Sequence, residues 1–219
     1  MSYDPEELAL REELASTAIQ AYQRGLVAGA GGNVSARVPG RDQVLITPTG
    51  VSLGMTTVDN IVKTDLHANH LDTGNGHRPS KETGFHCSIY RMRPEVNAIV
   101  HVHPPHATAF SLRMKDLPLV TVSASANLKR VPCIDMALSG SDELKHLVEE
   151  GFEKNPGVRC ILMRGHGIIA TGPGLVAAYN AADLIEDTAR IAFLSATLGI
   201  PLEESTEVAF KPIPQSMRV

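Results

Sequence analysis

The sequence predicts a single three-layer α/β/α domain, residues 1–219, built on a mainly antiparallel mixed central sheet. Three observations predict it. The 219 residues are 43% hydrophobic and 20% charged, enough to build a core without staples. No internal repeat, low-complexity stretch or long linker divides the chain. Its apolar runs form hairpins with helices interspersed, not a strict strand–helix alternation.

The elements follow in order. Asp4 can cap a helix, Pro5 fits its first turn and Glu7 completes a capping-box pattern. Leu14, Ala18, Tyr22 and Leu26 recur at helical spacing, and Gly25 marks the stop. The glycine turn from Gly29 runs into a strand ending at Val38. Pro39–Asp42 turns the chain into a second strand, Gln43–Thr47. Pro48-Thr49-Gly50 leads it away, residues 55–60 form a loop or short helical turn, and a further strand lies near Ile61–Leu66. Residues 72–79 are loop. Ser80 caps a helix over Lys81–Arg93, stopped by Pro94. A strand through residues 98–103 follows, then a helix from Pro105 to Met114. Strands are expected over Leu117–Ser123 and Val131–Ile134, and an amphipathic helix over Asp142–Lys154. Val158–Met163 and Ile168–Ala170 flank the tight turn Arg164–Gly167. A last helix runs from Pro173 to Leu198, with Leu175, Tyr179, Ala182, Ile185, Ala189 and Phe193 on one stripe and Glu186 paired with Arg190. Gly199 and Pro201 end it, and the tail beyond is short and rich in proline.

Composition narrows the function. Net charge is −4 and no basic run occurs, which argues against nucleic acid. The acidic N-terminus lacks the apolar core of a signal peptide, and no stretch approaches the length of a membrane span. Three cysteines, Cys87, Cys133 and Cys160, include no CxxC and read as reduced thiols of a cytoplasmic protein.

The chemistry gathers around Val100-His101-Val102-His103. Alternation along a strand points both histidines the same way, their Cα atoms roughly 6.6–6.9 Å apart. The surrounding run is apolar, so this face is not open to water, and two imidazoles there can converge on one metal ion. A catalytic zinc site wants a third protein ligand. Among the remaining histidines His166 stands apart, set between two glycines at a turn joining two strands. His67, His70, His77, His106 and His146 read mostly as surface. Glu82, in the first turn of the helix before the histidine strand, supplies a carboxylate. His86, one turn on along the same face, is an alternative ligand but fits better as a core or interface histidine. Gly31-Gly32-Asn33, Thr49-Gly50 and Ser80-Lys81 are turn segments rich in N–H groups, hydroxyls and one ammonium, of the kind that cradle phosphate.

These motifs resemble the class II aldolase/adducin family, the group of fuculose-phosphate aldolases and ribulose-phosphate 4-epimerases. In order they are Gly31-Gly32-Asn33-Val34-Ser35, Ile46-Thr47-Pro48-Thr49-Gly50, Pro79-Ser80-Lys81-Glu82, His101-Val102-His103 and Gly165-His166-Gly167, and the similarity spans about residues 8 to 199. The resemblance implies a class II aldolase fold. It implies that His101, His103, His166 and Glu82 hold Zn2+, or Mn2+ or Co2+ in its place, with Glu82 also the catalytic acid/base. It implies that Gly32, Asn33, Thr49, Gly50, Ser80 and Lys81 bind the phosphate of a small sugar. It further implies a homotetramer with active sites between subunits. The expected reaction is retro-aldol cleavage of a phosphorylated ketose, whose enediolate a bound divalent ion stabilises.

The chain departs from the aldolase pattern in two places. The tyrosine that fucose-type aldolases carry after the histidine strand falls near Val122, which cannot transfer a proton, and their C-terminal tyrosine is missing. The epimerases usually have Ser-Asp where this chain has Lys81-Glu82. Lys-Glu here, with Ser52-Leu53-Gly54, is similar to decarboxylases of 3-oxo sugar acid phosphates, an alternative reaction needing no base at a remote hydroxyl. Asn127, Lys129 and Arg130 then become candidates for a carboxylate or phosphate, or a solvated loop. A non-catalytic adducin-like interaction domain is the third alternative.

Overall fold

The computed structural model describes residues 3–72, 74, 76–200 and 202, so the proline-rich tail lies outside the described residues. The Asp4 side chain accepts the Glu7 N–H at 2.9 Å and Pro5 starts α1 (Pro5–Gln23), as its sequence signals require. The expected capping box is not what Glu7 makes. Its carboxylate pairs instead with the fully buried Arg11 and with Lys63, and Arg11 also holds Asp72 and the Ile61 carbonyl. The charge is satisfied on several sides, as burial demands.

Next come β1 (Asn33–Arg37), β2 (Gln43–Ile46), a single 3-10 turn (Leu53–Met55) and β3 (Val62–Asp65). They are followed by α2 (Thr83–Met92), β4 (Ala98–Val102), α3 (Pro105–Ser111), α4 (Val122–Leu128) and β5 (Cys133–Ile134). The chain closes with α5 (Asp142–Lys154), β6 (Cys160–Met163), β7 (Gly167–Gly172) and α6 (Leu175–Thr197). The seven strands form one sheet in the order β3-β2-β1-β4-β7-β6-β5, antiparallel throughout except for the β5–β6 pair. This is the expected mixed, mainly antiparallel sheet.

Alternation splits the core into two layers. Val34, Ala36, Val100, Val102, Ile168 and Ala170 face a cluster with α1, α3, α4 and α6. Ile99, Ile161 and Ile169 face the other, with Phe85, Ile89 and Tyr90 of α2 and Leu144, Val148 and Phe152 of α5. His101 shares the parity of Ile99, so it lies on the α2 side of the central strand.

Three further expectations need correction. The strand expected over Leu117–Ser123 is not formed. Leu117 makes one backbone bond, to the Val131 carbonyl, and Thr121 then caps α4 by accepting the Ala124 N–H at 3.1 Å. The small residues after Thr121 propagate a helix more readily than a strand. The helix expected from Lys81 begins at Thr83, because Ser80 turns the chain: its Oγ accepts the Glu82 N–H and its carbonyl the Thr83 N–H. Glu186 does not pair with Arg190. It is buried and accepts from the backbone N–H groups of His106 and Ala107 and from His106 Nδ1. That carboxylate satisfies donors at the start of α3, which Pro104 and Pro105 leave without a side-chain cap. Phe193 of the α6 stripe is half exposed.

Candidate active site

The site lies at the end of β4, the central strand. His101 is fully buried, and its Nδ1 lies 2.9 Å from the Ile168 carbonyl on β7. A carbonyl only accepts, so Nδ1 carries a proton there, and Nε2 is the atom turned toward the cluster, where it can serve as a ligand. His103 follows on the same side, its Nε2 3.0 Å from that of His101. Gly32 and Gly167 permit this approach. A Cβ on Gly32, at φ +70°, would stand 2.8 Å from the His101 carbonyl, and one on Gly167 would stand 2.3 Å from the Val102 carbonyl. His166, at the β6–β7 turn, completes the group: nitrogens of His101, His103 and His166 all lie within 4.8 Å of one another.

Glu82 sits beneath this cluster. It is the N-cap of α2, but its side chain makes no capping hydrogen bond and reaches the end of β4 instead. Its oxygens lie 3.1 Å from His101 Nε2 and 3.4 Å from His166 Nε2. Asn33 Nδ2 and Ser139 Oγ donate to it, both at 2.8 Å. Burial alone would raise this carboxyl. Charge at His101 and the hydrogen bonds from His101, Asn33 and Ser139 outweigh it and hold the group well below the usual carboxylate range. Burial pushes His103 down to about 3 and His166 down to about 4, helped in both by charge at His101. These two rings are neutral near pH 7, the form that binds metal. Three imidazoles at such separations beside an ionised carboxylate fit a divalent ion of the zinc type.

The predicted phosphate residues come together. A cavity of about 270 Å³ is lined by Gly31, Gly32, Asn33, Thr49, Gly50, Ser80 and Lys81, and also by Glu82, His103 and Ser139. A bridge between Pro48 and Pro79, with the Thr49 N–H bonded to the Arg78 carbonyl, draws the second and third turn segments together. Lys81 is exposed at the rim. Asn33 is the exception to the expected role: its side chain is engaged by Glu82 and His86. His86 is a core residue, fully buried and hydrogen-bonded to Asn33 and Ser35.

Ser139 escaped sequence reasoning. It precedes Gly140 and the α5 cap Ser141, where a serine looks like ordinary helix-start chemistry. Gly140, at φ +75°, packs against Lys81 and brings Ser139 to Glu82, a contact with no local signal. Arg130 is already engaged with Asp116 and Asn155, and Asn127 bonds back to the Ser123 carbonyl. Val122 opens α4 and is exposed.

The chain is similar to known proteins over most of its length. The model of the Class II Aldolase and Adducin N-terminal domain matches residues 12–193. An L-fuculose phosphate aldolase of Methanococcus maripaludis is 35% identical over 173 residues, 79% of this chain and 90% of the relative. One from Haemophilus influenzae is 34% identical over 196 residues, 88% and 87% of the two chains. Among solved structures, YgbL of Escherichia coli, described as a putative aldolase/epimerase/decarboxylase, superposes with a TM-score of 0.82. It is 28% identical, over 93% of this chain and 97% of its own.

Proposed function

The chain belongs to the class II aldolase and adducin family, and from that membership we propose that it is a divalent-metal-dependent lyase cleaving a small phosphorylated ketose by retro-aldol reaction. One observation carries the reading. Glu82 and His103, one member of the three-histidine cluster, border the same cavity as Gly31-Gly32, Thr49-Gly50 and Ser80-Lys81. A substrate would thus be anchored at a non-reacting anionic end and acted on at the other.

His101, His103, His166 and Glu82 would hold the ion, with Zn2+, Mn2+ or Co2+ as candidates. Bound there, it would supply Lewis acidity against the negative charge left when the carbon–carbon bond breaks. The backbone N–H groups and hydroxyls of Gly32, Thr49, Gly50 and Ser80, with the Lys81 ammonium, would bind phosphate; the Asn33 side chain is already committed to Glu82 and His86. Glu82, held in reach by Asn33 and Ser139, would take up the hydroxyl proton released as the carbon–carbon bond breaks and return it to the enediolate carbon.

Decarboxylation of a 3-oxo sugar acid phosphate is the second reading, and the missing tyrosine favours it. Val122 has no titratable group, and no tyrosine lines the cavity. Loss of CO2 leaves the same enediolate without deprotonating a remote hydroxyl. We also propose a homotetramer. Leu112 and Met136 pack around Gly165, and with the nearby Leu138 they expose apolar surface beside His166. Light scattering after size exclusion tests it. No helix among the described residues is long and apolar enough to cross a membrane. A cytoplasmic setting accords with three cysteines that are all free thiols.

The test is a substrate screen of the metal-loaded protein with L-fuculose 1-phosphate, related ketose phosphates and 3-oxo-tetronate 4-phosphates. Aldehyde product and CO2 are followed separately, with Glu82→Gln and His101→Ala as controls. Aldehyde formed by the wild type and lost in both variants supports the aldolase. CO2 alone shifts the assignment to the decarboxylase. Neither product, from a protein that binds no divalent ion, overturns the lyase reading and favours an interaction domain.

A further inference from the structure

On α2 and the residue preceding it, Glu82, His86 and Tyr90 stand at i, i+4 and i+8, one stripe of the helical path. On β1, Asn33 and Ser35 stand at i and i+2 on the face that meets that stripe. Four helical residues rise about 6.0 Å and two strand residues about 6.6–6.8 Å, so the two series stay in register. The side chains interleave. Asn33 Nδ2 is 2.8 Å from Glu82 Oε2, and Asn33 Oδ1 is 2.5 Å from His86 Nε2. His86 Nδ1 is 2.7 Å from Ser35 Oγ, which is 2.7 Å from the Tyr90 hydroxyl. All five residues are at most 5% exposed.

The direction of this chain is fixed at one end. An ionised carboxylate only accepts, so Asn33 must present its N–H to Glu82 and its carbonyl to His86. His86 must then donate from Nε2 and accept at Nδ1. Ser35 supplies its hydroxyl proton to Nδ1, leaving Tyr90 to donate to Ser35. We infer that His86 is a positioning residue: by fixing the Asn33 amide with its N–H toward Glu82, it holds the Glu82 carboxylate beneath the histidine cluster. An unfixed amide could turn its carbonyl toward Glu82, and two facing acceptors would push the carboxylate away. No proton need travel along the chain. The inference rests on the proposed role of Glu82 in proton transfer.

Two measurements test it, and the first does not depend on activity. In protein labelled with 15N-histidine, the neutral His86 ring must carry its proton on Nε2. A proton on Nδ1 reverses every bond and overturns the inference. The second compares His86→Phe with His86→Gln, whose amide N–H can replace Nε2–H toward Asn33. In the metal-loaded enzyme, His86→Phe should lower kcat on the best substrate of the screen by about 10- to 100-fold with KM within about threefold of wild type. His86→Gln should recover kcat to within about threefold of wild type. A folded His86→Phe with wild-type kcat overturns the inference, as does a loss that His86→Gln fails to rescue. A wild type without lyase activity defeats the functional reading instead, and the tautomer then decides this inference alone.

Discussion

His101 illustrates how one hydrogen bond decides a ligand. The Ile168 carbonyl accepts from its Nδ1, so Nε2 is the nitrogen that faces His103 and Glu82. Replacing His101 by Ala removes that nitrogen from the middle of the cluster. Affinity for Zn2+, read by calorimetry, should fall by more than about tenfold, with lyase activity lost alongside it. Glu82→Gln is a different lesion. It keeps the shape and leaves the three histidines, so metal should still bind while kcat drops by about 10²–10⁴. A Glu82→Gln variant with wild-type kcat would remove Glu82 from the chemistry. The sequence identified these residues because histidine types and strand parity are local properties. It could not show that the Asn33 amide serves Glu82, because that depends on β1 and α2 lying side by side.

At the scale of elements, the close approach of neighbouring segments to β4 leaves no room for a side chain at Gly32 or Gly167. A Cβ on Gly167 would meet the Val102 carbonyl at 2.3 Å, and backbone cannot yield as a flexible side chain does. Gly167→Ala should cost more than about 2 kcal/mol in urea unfolding and displace His103 as well. The segment after α3 teaches the opposite lesson. Leu117–Ser123 reads as strand by β-propensity, yet it finds no ladder, and Thr121 caps α4 instead. Thr121→Ala should lower stability by about 1 kcal/mol, the worth of a lost cap. An unchanged unfolding midpoint would show that tertiary packing alone holds this helix.

For the whole molecule, the buried histidines link stability to pH. Burial, with charge at His101, holds His86 down to about 3 in the folded state, against an unfolded value of about 6.5. Between those values the unfolded chain binds the proton and the folded chain does not. His86 therefore contributes stability that is fully present above the unfolded pKa and is lost as pH falls toward 3. The slope is about 1.4 kcal/mol per pH unit for this residue, and His103 and His166 act in the same sense. Urea unfolding of metal-free protein from about pH 7 to about pH 4.5 should show it, with a slope one proton shallower in His86→Gln. Equal slopes in the two proteins would exclude a buried neutral His86.

The sequence by itself determined the mixed α/β class, the hairpins and most helix boundaries, and it singled out the histidines, carboxylate and turn segments of the candidate site. Each of these rests on periodicity, capping or turn chemistry within a few residues. Only the tertiary structure decided that Ser139 reaches Glu82, that Glu186 serves the start of α3, and that residues 122–128 are helix. It also decided that Glu82, His86 and Tyr90 mesh with Asn33 and Ser35. Those contacts join segments about 50 or more residues apart in most cases, where satisfying buried polar groups outweighs any local preference.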